Sequence, residues 1–143
     1  MQKILGIVGW KNSGKTTLVE ALVREMTARG LRVSTVKHAH HAFDIDVPGK
    51  DSHRHREAGA HEVIVASGDR WALMHELRNA PEPPLDVLIA KLAPCDLVLV
   101  EGFKRGTHSK IEVARFTRDE GLIADQDEAV LAVATDNAAL AGR

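Results

Sequence analysis

Continuously apolar segments alternate along this chain with segments whose apolar residues recur at helical spacing. Residues 3–8 and 96–101 are apolar at almost every position, which predicts strands that are buried on both faces of a parallel sheet. Over 15–29 the apolar residues recur at every fourth position, which predicts an amphipathic helix that ends at Gly30. The same two patterns predict further strands at 31–37, 110–114 and 130–134 and a further helix at 85–92. This alternation favours a three-layer α/β domain.

The middle of the chain departs from this pattern. Residues 38–51 are polar, lack a sustained period and contain a Pro-Gly turn, so we expect a long loop. A short helix is predicted over 52–58 and a β-branched strand over 62–66. The turn-forming residues 67–69 then lead into a second strand at 70–76. We expect these two strands to pair antiparallel and to add a hairpin to an otherwise parallel sheet.

Composition narrows the classes of partner. The 143 residues have a net charge of -1, 3% aromatic residues and no Tyr, which argues against a nucleic-acid partner. There is no apolar run of the roughly 20 residues that a membrane-spanning helix needs, so we expect no membrane segment. The only cysteine, Cys95, cannot form an internal disulfide, which is typical of a reducing cytoplasm. We therefore expect one cytoplasmic domain over 1–143 that binds a small molecule or another protein.

The segment between the first strand and the first helix has a motif for binding phosphate. Residues 9–16, GWKNSGKT, satisfy G-x-x-x-x-G-K-S/T at the junction of a buried strand and a helix. Glycines at this spacing let the backbone form a nest, whose N–H groups point at phosphate oxygens together with the helix N-terminus. Lys15 reaches the β and γ phosphates and is the first catalytic candidate. The candidate nucleotide-binding residues are Gly9, Trp10, Lys11, Asn12, Ser13, Gly14, Lys15 and Thr16.

Two further positions suit a magnesium ion. In such proteins the hydroxyl after the lysine binds Mg²⁺, and an acidic residue at the end of a neighbouring strand holds the water shell of the metal. Thr16 and Glu101 stand at these positions. Asp44, Asp46 and Asp51 follow the strand predicted at 31–37, at the edge where parallel sheets bind ligands. Asp46 is the candidate for orienting the attacking water. The alternative is that these aspartates cap the following helix or stay solvated.

Histidines and basic residues leave other functions open. Five of the eight histidines, His38, His40, His41, His53 and His55, have a spacing that could bind nickel or zinc, although no Cys pair supports such a site. The alternative is that they lie on the surface or contact a substrate. Six basic residues form either a solvated surface or a rim for a second phosphate-bearing molecule or an acidic partner: Lys50, Arg54, Arg56, Lys104, Arg105 and Lys110.

With these motifs placed, the chain resembles the molybdopterin-guanine dinucleotide biosynthesis adapter protein B family, MobB. Four segments carry the resemblance: GWKNSGKTT at 9–17, VKHAHHAFDIDVPGKDSHRHREAGA at 36–60, ASGDRWALMHEL at 66–77 and DLVLVEGFK at 96–104. The resemblance implies a three-layer α/β fold of the P-loop NTPase type, with a mostly parallel sheet and an added β-hairpin. Carried over by position, the resemblance extends the nucleotide-binding loop to Thr17 and matches Glu101 to the second acidic motif of the family.

The resemblance also implies a function. It implies an adapter that binds GTP with Mg²⁺, hydrolyses it weakly, and works as a homodimer with the nucleotidyltransferase MobA in attaching GMP to molybdopterin. The N-K-x-D guanine signature is absent and Thr135-Asp136 is only a candidate substitute, so GTP preference rests on the resemblance. The chain ends at Arg143, earlier than the family implies, so we expect a shortened C-terminal element. The alternatives are a small-molecule kinase that uses the same loop and a His-rich metallochaperone GTPase.

Overall fold

The computed structural model describes residues 1–115 and 121–140 of the chain. The strands and helices expected from the sequence are present, with bounds that differ from the expected ones by three residues or fewer. In chain order they are β1 (Lys3–Val8), α1 (Lys15–Ala28), β2 (Val33–Lys37), α2 (Asp51–Glu57), β3 (Glu62–Ala66), β4 (Trp71–His75), α3 (Leu85–Ile89), β5 (Leu97–Glu101), β6 (Lys110–Ala114) and β7 (Val130–Thr135). Two 3₁₀ turns, Ile123–Asp125 and Ala138–Leu140, lie before and after β7.

The described chain forms two compact units. The first consists of Met1–His38 and Pro84–Arg143, apart from the residues that are not described, and the second of Ala39–Pro83. A single domain over 1–143 therefore stays a prediction. The expected shortening of the C-terminal element concerns Arg143, which lies outside the described residues. Among the described helices, none is long and apolar enough to cross a bilayer.

The first unit is built on a five-stranded sheet in the order β2-β5-β1-β6-β7, in which all four neighbouring pairs are parallel. Since β5 lies between β1 and β2, the first strand-helix-strand segment skips one position of the sheet. The register places Ile7 of β1 beside Glu101 of β5, and Val8 of β1 beside Glu112 of β6. Because parallel strands end at one edge, the loops after β1, β5 and β6 begin close together.

Side chains on the two faces of this sheet form two hydrophobic clusters. Leu99 of β5 points towards α1, where Val19 packs against it. Val98 and Val100 point to the opposite face and pack against Ile89 of α3. This alternation follows the period of two along a strand, and burial on both faces explains why β1 and β5 are apolar throughout. The first unit therefore has the three-layer α/β architecture that the sequence predicts.

The second unit contains α2 and the antiparallel hairpin of β3 and β4. In the connecting turn, the backbone N–H of Ser67 donates to the carbonyl oxygen of Arg70 at 2.9 Å, and the Ser67 hydroxyl accepts the N–H of Asp69. The predicted hairpin is present, but as a two-stranded sheet of its own and not as part of the parallel sheet. β3 and β4 pair with each other over all five residues of each strand, so their hydrogen bonds to each other do not require a strand of the parallel sheet.

Candidate functional site

The loop between β1 and α1 is a backbone turn that depends on two glycines. Gly14 is the N-cap of α1 and has a φ of 101°, in the left-handed region that favours glycine. A Cβ at Gly9 would lie 2.5 Å from the carbonyl oxygen of Val113 on β6, so only glycine fits there. Asn12 has a φ of 60°, which an asparagine tolerates. The backbone therefore turns tightly from the central strand into the helix, as a phosphate-binding nest requires.

Polar groups in this loop suit an anionic ligand. Within residues 1–115 and 121–140, no side chain caps the first N–H groups of α1, and the first turn of this helix has no acidic residue. Ser13 is buried, with 3% of its surface exposed, and its hydroxyl has no hydrogen-bond partner among the described residues. Helix N–H groups without a cap and a buried hydroxyl without a partner both suit phosphate oxygens.

Lys15 lies inside the turn of this loop. Its Nζ donates to the carbonyl oxygens of Gly9 and Trp10, both at 3.0 Å. These two contacts hold the ammonium over the loop backbone, where a phosphate-loop lysine meets the β and γ phosphates. The structure therefore brings Lys15 together with Gly9 and Trp10 of the predicted loop, and its role towards phosphate stays a prediction.

The structure also brings Thr16 and Glu101 together. The Thr16 hydroxyl donates to Oε1 of Glu101 at 2.7 Å, which joins the first turn of α1 to the end of β5. Glu101 is buried, and the Nζ of Lys37, its register partner on β2, lies 4.0 Å from the same oxygen. A hydroxyl that donates its proton to a carboxylate keeps its lone pairs for a hard cation. The two oxygen donors therefore fit a magnesium site.

Trp10 connects the phosphate loop to two other loops at the same edge of the sheet. Its indole Nε1 donates to the carbonyl oxygen of Gly121, after β6, at 3.2 Å. The Nζ of Lys104, after β5, lies 4.5 Å from the ring centroid, which is a cation–π contact. The other predicted loop residues, Lys11, Asn12 and Thr17, are exposed. The side-chain role of Trp10 could not be read from a motif in which its position is variable.

Glu112 holds the loop that reaches Trp10, and sequence reasoning missed it. The residue is fully buried on β6, and its carboxylate accepts the backbone N–H groups of Ile123 at 2.9 Å and Ala124 at 2.8 Å. These bonds fix the 3₁₀ turn that begins two residues after Gly121. An acidic residue inside the apolar strand KIEVA is the signal that could have found it, because a buried carboxylate needs hydrogen-bond donors.

Asp46 lies in the second unit, in a network centred on Arg56. Its Oδ1 accepts the hydroxyl of Ser52 at 2.7 Å, and its Oδ2 lies 3.4 Å from Nη2 of Arg56. Arg56 also donates to Asp44 and Glu76. The backbone N–H of Asp46, followed by Arg56, lowers the pKa of the Asp44 carboxyl, while Glu76 and then Asp44 raise the pKa of Arg56. Asp46 thus has a structural contact here, and its catalytic role stays a prediction.

Two of the six residues expected at a basic rim are engaged in internal ion pairs. Arg56 binds the carboxylates of the second unit. Lys110 is fully buried at the start of β6, where its Nζ donates to the carbonyl oxygen of Gly106 and, at 2.9 Å, to Asp127. Because a charge that is this buried requires such partners, the prediction of a surface role for Lys110 was wrong. Burial and then the charge of Lys110 lower the pKa of the neighbouring His108.

The clustered histidines do not converge on a metal site in the part of the chain that the structure describes. No group of three or more His, Cys, Asp or Glu side chains there could hold a metal ion. The ring of His38 packs against Phe103, with centroids 4.7 Å apart, and Nδ1 of His53 accepts the N–H of Gly49. The side-chain geometry therefore gives the metallochaperone alternative no support.

A family model, two curated relatives and a solved structure point to the same family. The family model of molybdopterin guanine dinucleotide synthesis protein B, MobB, matches residues 4–136. The chain is 48% identical over 136 residues to the molybdopterin-guanine dinucleotide biosynthesis adapter protein of Haemophilus influenzae, covering 93% of this chain and 74% of that one. Its identity to the Escherichia coli protein of the same description is 43% over 141 residues, covering 95% and 79%. A solved structure of molybdopterin-guanine biosynthesis protein B superposes with a TM-score of 0.72 at 31% identity, over 94% of this chain and 82% of that one.

Proposed function

Because the chain belongs to the MobB family of molybdopterin guanine dinucleotide synthesis proteins, we propose that it is a GTP-binding adapter in the biosynthesis of molybdopterin guanine dinucleotide. In this role it assists the nucleotidyltransferase MobA as GMP is attached to molybdopterin, and it hydrolyses GTP weakly. The relatives from Haemophilus influenzae and Escherichia coli are themselves described as adapter proteins of this biosynthesis. We expect the protein to act in the cytoplasm as a homodimer.

The phosphate loop is the observation that supports nucleotide binding most directly. An uncapped helix N-terminus, the buried hydroxyl of Ser13 and the ammonium of Lys15 lie on one turn of backbone. Each of these groups donates hydrogen bonds, and no acidic residue in the first turn of α1 competes for them. A triphosphate supplies the acceptors and negative charge that this arrangement suits.

Magnesium would be held by the Thr16 hydroxyl, with Glu101 acting on the water shell of the ion. When bound, the ion would neutralise charge on the phosphates. Glu101 is already fixed by Thr16 and lies near Lys37, so its carboxylate needs little rearrangement to receive the ion. This arrangement supports a magnesium-nucleotide complex as the ligand.

Titration calorimetry with GTP and ATP, each with Mg²⁺, tests the proposal. We expect micromolar or tighter binding of GTP, weaker binding of ATP, and a loss of at least about 100-fold in Lys15→Ala, because charge-assisted bonds to two phosphates are removed. Lys91→Ala is the matched control, since Lys91 is an exposed lysine after α3. Equal binding by wild type and Lys15→Ala would refute the nucleotide site, whereas equal affinity for ATP would refute only the guanine preference.

Hydrolysis in the presence of purified MobA tests the adapter role. A site completed by a second protein can gain about 10³ to 10⁵ in rate, so we expect slow GTP hydrolysis alone and faster hydrolysis with MobA. The control is the Lys15→Ala variant with MobA, which separates hydrolysis at this site from contaminating activity. A rate that does not respond to MobA would contradict the adapter role, and a phosphorylated small-molecule product would favour the kinase alternative.

A further inference from the structure

A second cation lies beside the phosphate loop, at a position that the motif does not specify. Arg115 directly follows β6, the strand next to β1, so it emerges at the edge of the sheet where the loop begins. Its Nη2 and Nε lie 3.6 and 3.8 Å from the position that a Cβ on Gly14 would occupy. The guanidinium therefore lies next to Gly14, the residue that caps α1, in the space that a side chain there would enter.

This placement suits an anion that contacts both the guanidinium and the helix terminus. The N-terminus of a helix carries partial positive charge, so a cation beside it is repelled while an anion is attracted. The first turn of α1 contains no acidic residue that could offset the repulsion. Arg115 is also exposed, and no carboxylate within residues 1–115 and 121–140 forms an ion pair with it. A ligand phosphate would satisfy both the guanidinium and the helix terminus.

The side of the loop from which Arg115 approaches identifies the phosphates concerned. Glu101 lies on β5, on one side of β1, whereas Arg115 follows β6 on the other side. Glu101, which would act on the water shell of the metal, therefore lies on the flank opposite to Arg115. The backbone N–H groups of such loops cradle the α and β phosphates, and Gly14 belongs to that backbone.

We propose that Arg115 binds the α and β phosphates of the nucleotide, from the flank of the loop opposite to Glu101. This inference rests on the proposed function, because it requires that the loop binds a nucleotide. The planar guanidinium suits two phosphate oxygens at once, which an ammonium contacts only as a point charge. Since the α and β phosphates are common to both nucleotides, Arg115 contributes to the affinity for GTP and for GDP.

Calorimetric titration of Arg115→Gln and Arg115→Lys with magnesium-GTP and magnesium-GDP tests this inference. We expect Arg115→Gln to bind both nucleotides about 10-fold more weakly, which corresponds to about 1.4 kcal/mol, and Arg115→Lys to recover only part of the loss, because an ammonium keeps the charge but not the two-point contact. Arg24→Ala is the control, because Arg24 is an exposed arginine of α1 paired with Glu20, and its affinity should equal that of wild type. The melting temperature of nucleotide-free Arg115→Gln should not fall, because the variant removes a cation from a helix N-terminus.

Three outcomes would overturn the inference. Unchanged affinity of Arg115→Gln for both nucleotides would show that the guanidinium does not contact phosphate. Equal losses in the Gln and Lys variants would indicate that Arg115 only packs on Gly14, and a loss confined to GTP would place it on the γ phosphate. Lys15→Ala is measured in parallel. If both Lys15→Ala and Arg115→Gln bind nucleotide as wild type does, the proposed nucleotide site is refuted. If only Lys15→Ala loses affinity, the nucleotide site stands and only the proposed role of Arg115 is refuted.

Discussion

Replacing Glu112 by glutamine tests how the phosphate loop is supported from β6. The buried carboxylate of Glu112 accepts two backbone N–H groups, from Ile123 at 2.9 Å and Ala124 at 2.8 Å. The loop fixed by these bonds also contains Gly121, which accepts the indole N–H of Trp10. Glutamine has nearly the same shape but offers one acceptor oxygen in place of two. The substitution therefore removes one acceptor without creating a cavity.

The magnitude follows from these contacts. Hydrogen bonds to a charged group contribute about 1.5–3 kcal/mol each, and a neutral one contributes about 1 kcal/mol. In Glu112→Gln two charge-assisted bonds become one neutral bond, and the remaining N–H faces an amide nitrogen. A neutral amide is also less costly to bury than a carboxylate, which offsets part of the loss. We expect the free energy of unfolding of the first unit to fall by about 2–4 kcal/mol, or roughly 8–16 °C in melting temperature.

Tryptophan fluorescence during urea unfolding can measure this loss in the first unit alone. The chain has two tryptophans, and Trp71 of the second unit is 68% exposed, so Trp71→Phe is a mild background change. In that background Trp10 reports only the first unit. The matched control is Glu128→Gln, the same chemical change at an exposed position of the loop before β7. Free energies of unfolding of Glu112→Gln and Glu128→Gln that agree within about 0.5 kcal/mol would refute the reasoning.

Three further predictions concern the metal, the pH dependence and the second unit. In Glu101→Gln we expect GTP affinity to lose most of its dependence on Mg²⁺ in calorimetry, while binding without the metal persists; an unchanged magnesium dependence would exclude Glu101. Lys110 and then the N–H of Ala129 lower the pKa of Asp127, so this carboxyl stabilises the fold above its unfolded-state pKa of about 3.9 and the stabilisation is lost as pH falls through the lower folded-state pKa. Urea unfolding of Asp127→Asn should therefore show a smaller loss of stability between about pH 5 and pH 2 than wild type, and an identical profile would contradict the assignment. In Arg56→Met we expect faster hydrogen exchange across Ala39–Pro83 but not in β1 and β5, because three carboxylates lose their common partner. Exchange rates across Ala39–Pro83 that equal those of wild type would show that the network does not stabilise this unit.

The phosphate loop and the buried strands could be predicted because their causes are local. A glycine spacing sets the loop backbone, and the run of apolar residues in β5 reflects burial on both faces. The meeting of Thr16 and Glu101 could also be inferred, since the ends of neighbouring parallel strands share one edge of the sheet. In each case a pattern within a few residues, together with a general rule of parallel sheets, was sufficient.

Roles that depend on partners far along the chain could not be predicted in this way. Lysine usually lies on the surface, and only the contact of Lys110 with Asp127 explains why this residue is fully buried. In the sequence, Arg56 is likewise only a basic residue in a polar segment. The structure shows that it pairs with Asp44 and Glu76. The separate hairpin sheet and the position of β5 between β1 and β2 also depend on pairings between strands, which hydrophobic periodicity does not encode.

The contacts of Lys15 and Trp10 connect the phosphate loop to two neighbouring loops. Lys15 donates to the carbonyl oxygen of Trp10, and a phosphate would compete for the same ammonium with stronger, charge-assisted bonds. The side chain of Trp10 meanwhile contacts Gly121 and Lys104 in two other loops. Trp10 thus contacts Lys15 through its backbone and two neighbouring loops through its ring. A partner that distinguishes the nucleotide-bound from the nucleotide-free protein would therefore find the difference at these loops, rather than at the opposite edge of the sheet.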